Sequence, residues 1–230
     1  MQRMKRQQKI NHFPGMLELC RKAGTARNLN KMLKVVGKEY KFFPRTFMLP
    51  ADYTELKKEF GGARRCNKTF IVKPSKGCQG TGIMLTRCLD DIDPHEPNIV
   101  QRYLHKPHLL DGYKYDLRLY VLVTSFAPLE AFIYDEGFAR VSTHKFSAAV
   151  GDLSNKYIHL TNSSIQKNNA SGPASDNPAA TARDGEAGGT KVCLEYLWRR
   201  LAATPDPRGA AGADGAAGAA GAGGAAGASA

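Results

Sequence analysis

No run of eighteen apolar residues occurs in the chain, so no segment reads as a membrane-spanning helix and no membrane is expected among its partners. Residues 1–9 are basic and no apolar core comes after them, so they do not read as a signal peptide. The five cysteines, Cys20, Cys66, Cys78, Cys88 and Cys193, are odd in number and never spaced C-x-x-C. That pattern argues against a disulfide framework and structural zinc, and fits reduced thiols in a cytoplasmic protein. The P-loop spacing is missing, as are RNA-binding signatures and zinc-finger spacings, so nucleic acid is not expected as a partner. Large apolar side chains are absent from the end of the chain: 20 of the 22 residues from 209 to 230 are Ala or Gly. Such a segment cannot offset its ordering entropy, and residues 204–230 are expected to be a disordered low-complexity tail.

What remains is long enough to bury a core, with 42% hydrophobic residues in 230. Its charge is lopsided. The first 76 residues hold 19 Lys or Arg against 5 Asp or Glu, whereas the rest hold 14 against 16, so the net +12 belongs to the first third. A basic face of this kind is either a solvated surface or a docking site for a polyanion, including an acidic polypeptide.

The periodicities predict a mixed α+β chain. Residues 18–36 carry Leu19, Ala23, Ala26, Leu29, Met32 and Leu33 at helical spacing, and Asp52 is expected to cap a second helix over 53–60. Strands are expected at 69–72, 83–86 and 98–104. A hairpin is expected from 117–124 and 129–134 about residues 125–128, and a short extended piece at 156–160. Residues 168–190 read as a long loop and 191–202 as a closing helix.

Between the first two strands runs Lys73-Pro74-Ser75-Lys76-Gly77-Cys78-Gln79-Gly80-Thr81-Gly82-Ile83, with its glycines spaced G-x-x-G-x-G. The run reads either as a plain hairpin turn or as a flap whose backbone N–H groups and Lys73 meet polyphosphate. Period-two alternation puts Lys114, Asp116 and Arg118 on one strand face and Tyr113, Tyr115, Leu117 and Leu119 on the other. The charged face is an ion-pair ladder on an exposed strand or part of a site. His159-Leu160-Thr161-Asn162 sets polar groups beside Ser163 and Ser164, and alone it could equally be a packed histidine leading into a turn.

Together with Lys9-Ile10-Asn11-His12-Phe13-Pro14-Gly15, Phe47-Met48-Leu49-Pro50-Ala51-Asp52-Tyr53, Gln101-Arg102-Tyr103-Leu104, Glu136-Gly137-Phe138-Ala139-Arg140 and Gly188-Gly189-Thr190-Lys191, these blocks resemble the tubulin tyrosine ligase-like family. Within it they are most similar to the glutamate-adding branch, the tubulin polyglutamylases. The resemblance implies an ATP-grasp-like fold, incomplete at both ends. Residues 1–65 would form the basic N-terminal and linker part, and residues 66–203 the central and C-terminal ATP-grasp part. It implies ATP and Mg2+ as cofactors, free L-glutamate as a substrate, and tubulin or microtubules as the partner, met through acidic tails. The implied setting is the cytoplasm and its microtubules, those of a cilium or basal body included. The implied reaction activates a carboxylate as an acyl phosphate, which the amino group of glutamate attacks.

Carried over by motif position, Lys73, Gln79, Gly80, Gln101, Arg102, Tyr103, Leu104, Lys114, Tyr115, Asp116, Thr161 and Asn162 are implied to hold the nucleotide. Arg118 and Lys114 are implied to stabilise the transferring phosphoryl group, and Arg140, Ser163 and Lys191 to hold glutamate. Cations around a γ-phosphate are what phosphoryl transfer demands. The chain departs from the family in Ser163 and Val192, where relatives carry aromatic residues, and in having no Glu-x-Asn block after Trp198, so no metal ligands are expected in it. A noncatalytic nucleotide- or microtubule-binding remnant and a glycine ligase are the alternatives.

Overall fold

The computed structural model describes residues 5, 7–8, 10–77, 79–182 and 187–203; the tail expected at 204–230 lies outside them. The helix expected over 18–36 is split into two, α1 (Leu17–Cys20) and α2 (Lys22–Val35). They are separated by Arg21, which takes extended dihedrals (φ −96°, ψ 138°). Gly24 makes this corner possible, because a Cβ there would sit 2.6 Å from the Glu18 carbonyl oxygen. Asn30 on α2 donates to the Thr46 carbonyl at 2.9 Å, fixing the helix against the first sheet.

That sheet is antiparallel and contains β1 (Thr46–Met48), β2 (Arg65–Pro74), β3 (Met84–Cys88) and β4 (Asn98–Arg102), in the order β1-β4-β2-β3 among the described residues. Residues 69–72 in the middle of β2 are buried throughout, because both faces of the strand are covered. Phe70 and Val72 join Leu56 and Phe60 of α3 (Tyr53–Glu59) and its C-terminal edge in one cluster, while Ile71 joins Tyr103 and Leu160 on the opposite side. Alternation therefore turns Lys73 to the same side as Ile71. Asp52 does not cap α3; its carboxylate instead accepts from the Met48 N–H at 2.8 Å.

The second sheet has the order β5-β6-β7-β9-β8: β5 (Leu109–Leu110), β6 (Tyr113–Phe126), β7 (Leu129–Lys145), β8 (Ala187–Gly188) and β9 (Lys191–Cys193). The hairpin is longer than its sequence suggests. Its base is buried on one face by Tyr113, Ala139, Val141 and Val192 against α7 (Leu194–Ala203), whereas Val121, Leu122, Phe132 and Ile133 further out are exposed. The closing helix begins only at Leu194, because residues 191–193 pair with β7 as β9.

Between β7 and β8 lie α4 (Lys156–His159), α5 (Ser163–Gln166) and α6 (Pro178–Thr181). The extended piece expected at 156–160 is thus a helical turn, started by the Asn155 side chain accepting from the Tyr157 N–H at 3.0 Å. The loop expected at 168–190 contains α6, capped in the same way by Asn177. Gln166 fastens this region to β7. Its amide nitrogen donates to the carbonyls of Tyr157 and Leu160, and its oxygen accepts from the Thr143 N–H and hydroxyl at 2.9 and 2.7 Å. All four hydrogen-bonding positions of the amide are used, which fixes where residues 159–162 run.

Phe70 is 1% exposed, and its ring stacks on Phe60 at 5.2 Å. Phe70→Ala should cost about 3–5 kcal/mol of unfolding free energy in a urea titration; a loss below about 1 kcal/mol would contradict this packing.

Candidate functional site

Lys73 leaves β2 beside β4, where its ammonium donates to Gln101 Oε1 at 2.8 Å. The other end of the same amide donates to Thr46 Oγ1 at 2.8 Å, and that hydroxyl donates to the Pro44 carbonyl, so the acceptor seen by Lys73 is fixed in orientation. Lys114, at the start of β6, donates to the Tyr103 hydroxyl at 3.0 Å and to the His159 carbonyl at 2.8 Å. Its Nζ also lies 4.7 Å from the Tyr103 ring centroid.

His159 Nε2 lies 3.1 Å from the Asp152 carbonyl, which can only accept, so Nε2 carries the proton and donates. In the neutral ring Nδ1 is then an acceptor and takes the Tyr103 hydroxyl proton at 3.0 Å, while the Tyr103 oxygen accepts from Lys114. Burial holds the histidine below its ordinary pKa, with the Lys114 charge pushing the same way. Burial likewise holds the Tyr103 phenol above its usual range.

The two ammonium groups face one cavity of about 330 Å³, whose walls include Ile71, Ile83 and Leu160 and whose polar lining includes Thr161 and Asn162. Burial lowers the pKa of Lys73, and the neighbouring Lys22 charge lowers it further. Burial pushes Lys114 down to about 8; Asp116 opposes that shift, and Lys73 adds to it. Cations held this way favour an anion that restores their charge.

The glycine loop closes one side of the cavity. Gln79 and Gly80 adopt positive φ of 59° and 85°. A Cβ on Gly80 would lie 2.5 Å from Ile165 Cδ1 and 3.2 Å from Asn162 Oδ1, so glycine, which also tolerates the positive φ here, lets the loop lie against α5 without displacing those side chains. Ser164 reinforces the approach by donating to the Gln79 carbonyl at 2.8 Å.

Beyond Lys114 the charged face of the second sheet continues as a cross-strand row, with Asp116 opposite Arg140 and Arg140 opposite Lys191. Arg140 Nε donates to the Asp116 carboxylate at 3.0 Å, its Nη2 donates there as well, and the pair is mostly shielded from solvent. The Lys191 ammonium lies 5.2 Å from the Phe138 ring centroid. Arg118 is opposite Phe138 on the same face, with its side chain exposed.

Of the residues singled out in the sequence, Lys73, Gln79, Gly80, Lys114, Thr161 and Asn162 line the cavity, and Gln101 and Tyr103 bond its two lysines. Asp116, Arg118, Arg140 and Lys191 form the adjoining sheet face, and Ser163 opens α5 next to Asn162. Three others are placed elsewhere. Arg102 lies over the Phe70 ring, Leu104 is 63% exposed, and the Tyr115 hydroxyl bonds His108 Nδ1 from the opposite face of β6. Sequence reasoning missed Lys22, which lines the same cavity from α2 and carries no motif of its own.

Residues 1–188 match the tubulin-tyrosine ligase family. The chain belongs to this family. Its fold is the ATP-grasp-like α+β arrangement expected from the sequence, and among the described residues no helix is long and apolar enough to cross a membrane. The chain is 53% identical over 165 residues to the tubulin polyglutamylase ttll6 of Danio rerio, covering 71% of this chain and 21% of that protein. It is 51% identical over 168 residues to tubulin polyglutamylase TTLL6 of Homo sapiens, covering 73% of this chain and 19% of that one. The same identity and length relate it to a probable beta-tubulin polyglutamylase of Tetrahymena thermophila, covering 14% of that protein. This tubulin-tyrosine ligase family chain thus spans 14–21% of the length of these relatives.

Because Lys114 is charged below about pH 8 and neutral above it in the ligand-free protein, affinity for a polyanion must fall as pH rises. Inorganic triphosphate should bind about tenfold more weakly at pH 9 than at pH 7. Lys114→Arg, which stays charged, should flatten that profile in a calorimetric titration. An equally steep fall in the arginine variant would contradict the role given to Lys114.

Proposed function

We propose that this chain is the nucleotide-gripping part of an ATP-dependent ligase that adds free L-glutamate to glutamate side chains in the acidic tails of tubulin. It would act on microtubules in the cytoplasm, or in a cilium or basal body. The observation that carries the reading is the pair of half-buried lysines, Lys73 and Lys114, facing one cavity beneath a glycine loop in a chain about half identical to proteins named tubulin polyglutamylases. Those names favour glutamate over glycine as the added amino acid. In this reading residues 66–203 grip the nucleotide, and the basic residues 1–65, which contribute β1 to the same sheet, meet the acidic tubulin tails.

ATP supplies the phosphoryl group that turns a carboxylate into an acyl phosphate. Lys73 and Lys114 hold the phosphate oxygens, with Gln79, Gly80, Thr161 and Asn162 closing around them. The backbone of segment 101–104 brackets the base, with the Gln101 and Tyr103 side chains fixing the two lysines while those of Arg102 and Leu104 point elsewhere. Asp116, next to Lys114 on the same strand face, completes the nucleotide surroundings, whereas Tyr115 faces the other side of β6 and takes no part. Arg118 neutralises charge that grows on the phosphoryl group during transfer. Arg140, oriented by Asp116, offers its remaining guanidinium N–H groups to a glutamate carboxylate, with Lys191 and Ser163 beside it. Magnesium at a nucleotide is held largely by phosphate oxygens and water with one or two carboxylates; among the described residues there is no group of three His, Cys, Asp or Glu that could hold a metal ion.

Equilibrium binding of ATP to the full chain, alongside co-sedimentation with microtubules, tests the proposal. Lys73→Ala should weaken ATP binding at least about tenfold, the loss of a charge-assisted contact worth about 1.5–3 kcal/mol. Microtubule affinity should stay within about twofold, since the tails would be met by surface charges elsewhere. Equal loss of both activities would overturn the assignment of separate surfaces, and unchanged ATP binding would overturn the nucleotide site.

A further inference from the structure

Lys22 is the first residue of α2, and the motif-bearing strands contribute nothing to its position. The extended turn at Arg21 and the close approach of Gly24 to Glu18 aim this end of the helix at the glycine loop. The Lys22 ammonium donates to the Pro74 carbonyl at 2.8 Å and to the Gly77 carbonyl at 3.0 Å, more than fifty residues away in sequence. The same side chain lines the cavity beside Lys73 and Lys114. Two carbonyl oxygens at the rim of an anion pocket would repel phosphate if left bare; bonded to an ammonium, they are neutralised. α2 is itself tied to β1 through Asn30 and Thr46, so the contact joins the loop to a fixed element rather than to a mobile one.

We propose that Lys22 is a positioning residue for the glycine loop, pinning the strand end at Pro74 and the turn at Gly77 so that the loop's N–H groups, and not its carbonyls, face a bound polyphosphate. The inference deepens the reading of the cavity as an ATP site and rests on it only for the identity of the ligand. It also gives the N-terminal part of the chain a direct role in nucleotide binding, apart from its net charge. Lys22 keeps a third N–H that it can turn to the ligand, whereas an uncharged side chain of similar length would leave both carbonyls without their partner.

Two loop amides report on the pinning without any ligand. The Ser75 N–H donates to the Pro97 carbonyl at 3.0 Å and the Ile83 N–H donates to the Gly80 carbonyl at 3.3 Å, one on each side of the turn. In the full chain, Lys22→Met should speed amide exchange at Ser75 and Ile83 about tenfold while leaving the buried amides of Phe70 and Val100 unchanged. ATP binding should weaken about tenfold. Lys22→Arg, which keeps a cationic donor, should recover most of both effects.

Unchanged exchange at Ser75 and Ile83 in Lys22→Met would overturn the proposal, as would uniform acceleration that includes Phe70 and Val100. If exchange responds as expected but the unsubstituted chain binds no ATP, the pinning stands and the ATP reading fails.

Discussion

Two ammonium groups held half-buried against one small cavity are an electrostatic cost that the surrounding structure is arranged to carry. Each has lost part of its water, and each is in the field of another lysine: Lys114 in that of Lys73, and Lys73 in that of Lys22. Neutral acceptors replace the lost hydration: the Gln101 amide for Lys73, and the Tyr103 hydroxyl with the His159 carbonyl for Lys114. None of these acceptors carries a formal charge, so the cavity stays net positive. A carboxylate in their place would satisfy the lysines and leave nothing for an incoming anion to gain.

The rest of the fold supplies the rigidity that this arrangement needs. β2 is covered on both faces, which leaves Lys73 little freedom at the strand end. Gln166 uses all four of its hydrogen-bonding positions to set residues 157–160 against β7, and so sets the carbonyl that receives Lys114. Neutral His159 completes the line of donors from Lys114 through Tyr103 to the Asp152 carbonyl. Protonating the ring would break that line and add a fourth positive charge to a cavity already lined by Lys22, Lys73 and Lys114. The Asp116 to Arg140 pair continues the polar face onto the second sheet, where Lys191 stands opposite Arg140.

Much of this was legible in the sequence because it rests on local rules. Period-two alternation in residues 113–119 separated Lys114, Asp116 and Arg118 from the tyrosine face, and the structure keeps that separation. The glycine spacing in 77–82 marked positions that adopt positive φ. Local signals misled where tertiary pairing or a single cap decided the outcome. Residues 191–193 look continuous with the helix at 194–202, but they are captured as a strand by β7, and residues 156–159 look extended until Asn155 caps a turn. Lys22 was invisible for a different reason: a lysine on a basic helix is distinguished only by the distant carbonyls it meets.

The central claim is that Lys73 and Lys114 serve a single bound triphosphate. A crystal structure of the chain with a non-hydrolysable ATP analogue tests it most directly. The account predicts phosphate oxygens of one nucleotide within about 3 Å of both ammonium nitrogens, beneath the glycine loop. A nucleotide bound outside this cavity, or touching only one of the two lysines, would contradict it.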